Sequence, residues 1–165
     1  SVGRLTAQKD QETLIRAFKL VRTKLDTKLL ILGEGEKRAE LESLVSKLGL
    51  AADVSMPGFH KNPFAFMARS RLFVLSSAWE GLPGALIQAV ACGCPVVSTD
   101  CPGGSREILR NGRLGSLVPV GDVESMADAI LKNLSGERTV PCSPQELDPY
   151  TVDYSTREYI KILLS

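Results

Sequence analysis

The chain has 165 residues, of which 44% are apolar and 24% charged, with a net charge of +1. That length suffices for one domain with a full hydrophobic core, and the near-neutral balance excludes the broad basic surface of a nucleic-acid binder. No apolar run approaches the roughly 18 residues that span a bilayer, and the opening residues do not read as a secretory leader.

In chain order, short apolar runs alternate with helical stripes. Residues 1–3 already read as a strand, so the chain is expected to begin inside a fold, with sequence upstream of it. Leu14, Phe18, Val21 and Leu25 step by four, three and four, which predicts a helix with one apolar face. A strand over 28–33 follows, then a helix carrying Leu41, Leu44, Val45 and Leu48 that Gly49 stops. A strand over 53–58 precedes a short helix over 63–69. A strand over 72–76 leads to a helix starting at Pro83, a residue suited to the first helical position. Strands over 95–99 and 115–120 come next. After them Met126, Ile130 and Leu134 form a helical stripe behind the cap residue Asp122. Residues 135–154 read as a loop leading to a last helix, with Tyr159, Ile160 and Leu163 as its apolar contacts.

The strand candidates are rich in consecutive β-branched and leucine residues, as strands buried on both faces are. Their alternation with helices predicts a single α/β domain over 1–165. The expected fold is Rossmann-like, a doubly wound parallel sheet of about six strands with right-handed crossovers. Ligands of such sheets bind at the carboxyl ends of the strands, so the segments following the strands hold the candidate chemistry. The four cysteines, Cys92, Cys94, Cys101 and Cys142, lack zinc-knuckle spacing, and His60 is the single histidine, so no metal site is expected. Cys92 and Cys94 are expected as buried small hydrophobes in a reducing cytoplasm.

After the first strand, GRLTAQKD places Arg4 and Lys9 beside a helix start. Two cations there suit a diphosphate; the competing account makes both solvated surface charges. In GEGEKRAEL, Gly33 and Gly35 begin a dinucleotide fingerprint, but Arg38 stands where the third glycine belongs, and NAD is not read from it. A tight turn and a close approach of a nucleotide to the backbone both fit. In PGFHKNP, Gly58 and Phe59 offer main chain and ring edge to a base, while His60 has no acidic or cysteine companion and reads as structural or solvent-facing. The segment SSAWEGLPGALIQAV says most. Small residues at Gly81 and Gly84 leave a helix start open. Glu80 just before it either accepts two sugar hydroxyls or complements the helix dipole. Gln88, one turn beyond Gly84, reads as a buried-facing amide that needs a partner, a ribose or a nearby backbone group.

The order VGRL with Lys9, LLILGEG, V-x-x-x-GF, SSAWEGLP, A-x-x-CPVVSTDCPGGSREIL and PVGDVESMADAI covers nearly the whole chain. It resembles the donor site of the retaining glycosyltransferases of GT-B fold known as family four, or group 1, and especially bacterial enzymes of capsule, lipopolysaccharide and glycolipid synthesis. The resemblance implies that the chain is the carboxyl-terminal, donor-binding half of such an enzyme. Arg4 and Lys9 would neutralise the donor diphosphate in place of a metal, so no cofactor is expected. Glu80, the catalytic candidate, would hold the donor sugar. The main chain of Gly81, Leu82 and Pro83 would touch sugar and phosphate, and Gly58 and Phe59 would sit near the base. The family usually has a second glutamate eight positions after the first, gripping the ribose; here it is Gln88, which loses the charge assistance.

The implied partners are a nucleotide-diphosphate sugar, an amino-terminal domain of the same enzyme bearing the acceptor site, and a glycan or lipid-linked acceptor. No nucleic acid is expected. The expected location is the cytoplasm, with contact to the inner membrane face left open through the other domain. Alone, the chain is expected to bind a donor without completing transfer. Two rivals remain open: a non-catalytic nucleotide-sugar-binding module, which Gln88 motivates, and a GT-B-fold nucleotide-sugar epimerase.

Overall fold

The computed structural model describes residues 1–136 and 144–164. Its five strands are β1 (Leu29–Leu32), β2 (Val54–Gly58), β3 (Phe73–Leu75), β4 (Val96–Thr99) and β5 (Ser116–Val118). They form two parallel ladders, β1–β2 and β3–β4–β5. The expected first strand is reduced to one parallel bridge, Val2 to Leu32. Gly3 N–H donates to Leu32 O at 3.0 Å, but Leu5 N–H already reaches Glu34 O, beyond the end of β1. The ladder runs out there because the chain turns over the strand end. The count is therefore five strands and a bridge. The loop after the bridge is tied to the loop after β3, through Ala78 N–H to Gln8 O at 2.8 Å and Ser76 Oγ to Lys9 O at 2.8 Å, so the two ladders meet at that point.

Helices cover both faces, as a doubly wound sheet requires. On one face lie α1 (Gln11–Arg22), α2 (Arg38–Lys47) and α6 (Val123–Leu134). Their Leu14, Phe18, Leu41, Val45, Met126 and Ile130 share a core with Ile31, Val74, Val97 and Val118 of the sheet. On the other face lie α3 (Phe64–Met67), α4 (Gly84–Ala91) and α5 (Ser105–Ile108). There Met67, Leu86, Val90 and Ile108 pack on Phe73, Leu75 and Val96. Adjacent residues of β3 and β4 thus serve opposite cores, the two-residue period of a strand buried on both sides.

Local signals fix the ends. Asp122 accepts from Ser125 N–H at 2.9 Å and caps α6. Asp10, left-handed at φ 44°, accepts from Thr13 N–H and caps α1. Gly49, at φ +67°, ends α2. Six details depart from expectation. Pro83 is the residue before α4 and not its first, because its ψ of 87° is not helical. The 3-10 turn Ala7–Lys9 and the short α5 were not anticipated. Within 135–154, Pro144–Tyr150 forms a 3-10 stretch, and α7 (Val152–Leu163) starts early because Thr151 caps it through Tyr154 N–H. Tyr159, Ile160 and Leu163 make no buried contact: α7 has no buried residue, and these three are exposed. A stripe of apolar residues gives a helix its period without supplying the surface that would cover it.

Cys94 is buried, which pushes its thiol up to about 11, whereas Cys92 is only half-buried. Cys142 lies outside the described residues. Among the described residues no helix is long and apolar enough to cross a membrane.

The loops after β3 and β4 are seated on each other. Glu80 N–H donates to Pro102 O at 3.0 Å and Gly104 N–H to Gly81 O at 2.9 Å. Gly103 holds φ +121°, and a Cβ there would lie 1.9 Å from Glu80 O, while a Cβ on Gly81 would meet nothing within 4 Å. Gly103→Ala is expected to cost about 2–3 kcal/mol through strain and clash together, and Gly81→Ala within about 0.5 kcal/mol of nothing. Equilibrium urea unfolding of the two variants checks the contrast.

Candidate functional site

At the carboxyl ends of the strands three loops converge: residues 3–10 after the Val2 bridge, 76–83 after β3, and 100–104 after β4. Their centre is an ion pair, Lys9 Nζ to Glu80 Oε1 at 2.5 Å, with side-chain exposures of 17% and 6%. Each partner is held from behind. The aliphatic stem of Lys9 lies 3.4–3.6 Å from where a Cβ of Gly3 would stand, so a side chain at Gly3 would crowd it. The Lys9 carbonyl accepts from Ser76 Oγ. Ser77 Oγ donates to Glu80 Oε1 at 2.6 Å, and Thr99 Oγ1 of β4 donates to Ser77 O at 2.6 Å. Ser76, Ser77 and Thr99 are all buried. A shielded carboxylate needs such donors, because an unpaired one would neutralise itself or destabilise the fold.

Sequence reasoning placed Lys9 and Glu80 separately, one for phosphate and one for sugar; the structure joins them. It missed Ser76, Ser77 and Thr99. The available sign was two hydroxyl residues ending one strand beside a third ending the next, in a core otherwise built of Val and Leu.

Arg4 is exposed, and its guanidinium forms no ion pair among the described residues. The open helix start holds: a Cβ on Gly81 or Gly84 would meet nothing within 4 Å, and Leu82 is 59% exposed. Pro83 is buried. Gln88 is a correction. It is exposed, on the same side of α4 as exposed Gly84, while Leu86, Ala89 and Val90 take the core. Being exposed, its amide does not need an internal partner.

Gly33 and Gly35 serve the first loop. A Cβ on Gly33 would lie 1.9 Å from Gly3 O, and one on Gly35 would lie 2.2 Å from Leu5 O. Two backbones touch here, and that accounts for both glycines. Arg38 packs at this corner, donating to Glu34, Glu42 and Met56 O. Hydrogen bonding to Arg38 holds the Glu34 carboxyl below its ordinary value. Gly58 sits against the same pair at φ +96°, and Phe59 is 73% exposed. His60 is half-buried and meets Phe66 edge-on at 5.0 Å between ring centroids, which fits a structural role. A hollow of about 410 Å³ between α1 and α2, lined by Thr6, Gln11, Lys37 and Leu44 among others, contains neither Lys9 nor Glu80. On the converging loops and at the start of α4, Arg4, Gly81, Leu82 and Gly84 are exposed.

A parallel sheet covered by helices on both faces, with its polar loops gathered at the carboxyl ends of the strands, defines the Rossmann-like class of α/β domains. Within that class the chain belongs to the glycosyl transferases group 1, whose family model matches residues 1–147. It is 40% identical over 138 residues to an N-acetylgalactosaminyltransferase of Campylobacter jejuni that acts on a diphospho-undecaprenol-linked sugar, covering 84% of this chain and 37% of that protein. It is 51% identical over 110 residues to an uncharacterized glycosyltransferase of Methanocaldococcus jannaschii, covering 66% of this chain and 27% of that one. The chain therefore spans well under half the length of these relatives. Among solved structures, S. aureus TarM superposes with a TM-score of 0.85 at 23% identity over 99% of this chain and 33% of its own. Anabaena HepE in complex with UDP gives 0.74 at 26% identity over 84% and 40%. The fold is roughly half of a GT-B glycosyltransferase fold.

The buried pair has a measurable consequence in the free protein. Lys9→Met leaves the Glu80 carboxylate with Ser77 alone and is expected to cost about 1–3 kcal/mol. Adding Glu80→Gln should return most of that loss. Chemical denaturation of both single variants and the double variant gives the coupling, and additive losses would show that the two groups act independently.

Proposed function

We propose that this chain is the donor-binding, carboxyl-terminal half of a retaining glycosyltransferase that moves a sugar from a nucleotide-diphosphate sugar to a glycan or glycolipid acceptor in cell-surface polysaccharide synthesis. The observation that carries the reading is the Lys9–Glu80 pair, 2.5 Å apart at the meeting of three strand-end loops. It puts a cation and a shielded carboxylate side by side, which a ligand with phosphate joined to sugar requires. Arg4, on the same loop as Lys9 and unpaired among the described residues, supplies the second cation. As the sugar–phosphate bond breaks, negative charge builds on the leaving diphosphate, and fixed cations and helix-start amides stabilise it without reorganising. This arrangement favours a metal-independent reaction.

The main chain of Gly81, Leu82 and Pro83 serves sugar and phosphate, Gly58 and Phe59 the base, and Gln88 the ribose. The acceptor site and any catalytic base belong to the remainder of a longer protein, an amino-terminal domain, and this part alone binds without transferring. The C. jejuni relative acts on a lipid-linked sugar, which supports an acceptor of that kind and work at the inner face of a membrane. Gln88 favours a second reading, a nucleotide-sugar-binding module without catalysis, since a neutral amide holds a ribose less firmly than a carboxylate.

Calorimetric titration with UDP and uridine, with and without EDTA, tests the site. UDP should bind weakly and equally in both buffers; loss of binding with EDTA overturns the metal-free reading. Arg4→Ala should weaken UDP by about 1.5–3 kcal/mol and leave uridine unchanged; equal losses would locate the phosphate site elsewhere. Gln88→Glu should tighten UDP by about 1 kcal/mol and leave its 2′,3′-dideoxy analogue unchanged. Equal weakening of both would remove Gln88 from the ribose site.

A further inference from the structure

The Glu80 carboxylate is used unevenly. Lys9 Nζ and Ser77 Oγ both donate to Oε1, at 2.5 and 2.6 Å. Oε2 takes no hydrogen bond among the described residues, and it is not one of the sealed, partnerless buried atoms. One oxygen is therefore anchored, and the other is left without a protein donor among the described residues. Lys9 is equally constrained: its stem rests over Gly3 and its carbonyl is held by Ser76. In the free protein the ammonium is thus already neutralised by a neighbour at contact distance, and the unpaired positive charge of this loop is Arg4.

We propose that the Lys9–Glu80 pair makes the site select an intact nucleotide sugar over the free nucleoside diphosphate that remains after transfer. The inference rests on the donor-site reading above. A nucleoside diphosphate carries two to three negative charges and meets a lysine whose field is cancelled by Glu80, with that carboxylate adding its own repulsion. An intact donor brings hydroxyls to Oε2. They stabilise the Glu80 charge from that second oxygen, so less of that charge opposes the phosphates, and Lys9 serves both halves of the ligand. Once the sugar has left, the hydroxyls are gone and the repulsion returns, which speeds departure of the diphosphate. Ser77 acts as a positioning residue: by holding Oε1 it decides which oxygen faces the sugar.

The test compares the protein with its Glu80→Gln variant, which keeps the shape and the Ser77 contact but removes the charge. The probes are UDP, GDP and ADP and their glucose conjugates, titrated at 50 and 500 mM NaCl, using the best-bound nucleotide. Removing one negative charge a few ångströms from the phosphates should tighten the free diphosphate about tenfold at low salt, and by less at high salt. The glucose conjugate should gain less or weaken, so the preference for conjugate over diphosphate falls. Combining Glu80→Gln with Lys9→Met should abolish the gain, since the gain comes from unmasking Lys9. If Glu80→Gln unfolds early, Glu80→Ala carries the same expectation. An unchanged or weaker diphosphate affinity in the variant overturns the selection device while leaving the donor site standing. Failure of every nucleotide to bind either protein overturns both.

Discussion

A carboxylate shielded from water at the end of a parallel sheet sets the terms for its surroundings. Glu80 keeps only 6% of its side chain in solvent, so donors must come from the protein, and each donor brings its own scaffold. Ser77 is held by Thr99 of the next strand, and Lys9 is reached only because the first loop folds back as a 3-10 turn over Gly3. Three sequence-distant loops are thereby brought to one point. The gain from a satisfied charged network in a low-dielectric setting exceeds that of its parts, and so does the loss when one member is removed. The sheet supplies the platform; the carboxylate specifies how the loops sit upon it.

The two cores support this arrangement in different ways. The α1–α2–α6 side is built from long aliphatic side chains, and the α3–α4–α5 side carries the loops that end in Gly81–Pro83 and Gly103–Gly104. On that second side, short helices and small residues keep backbone close to backbone. Main-chain amides and carbonyls are the polar groups best suited to a ligand rich in hydroxyl and phosphate oxygens, since they are fixed and carry no rotamer entropy.

Much of this was legible in the sequence, for physical reasons. Unbroken runs such as LLIL and FVL announce strands buried on both faces, and the stripes Leu14–Phe18–Val21 and Met126–Ile130–Leu134 fix which side of each helix faces inward. The positions of Arg4, Lys9, Glu80 and Gly81 at strand ends followed from strand–helix alternation. Three things were not legible. Pairing of Lys9 with Glu80 depends on a tertiary approach across 71 residues. Gln88 looked buried because its neighbours are apolar, but on an eight-residue helix a shift in facing of one position moves a residue from core to solvent. The apolar residues of α7 were assigned contacts because periodicity reports a face and is silent about what the face meets. Gly33 and Gly35 show the same limit from the other side. Their spacing looked like a ligand motif, and their purpose is to let two stretches of main chain touch.

The mutual seating of Glu80–Gly81 on Pro102–Gly104 also bears on transplanting this surface. The short stretch between β3 and α4 is shaped by its partner as much as by its own residues, and the partner tolerates no Cβ at Gly103. An exchange of the 79–83 segment between related domains would carry across a sequence without the mould that gives it form. Grafts from this edge should therefore take both segments together as one discontinuous unit, with β3 and β4 as the fixed flanks.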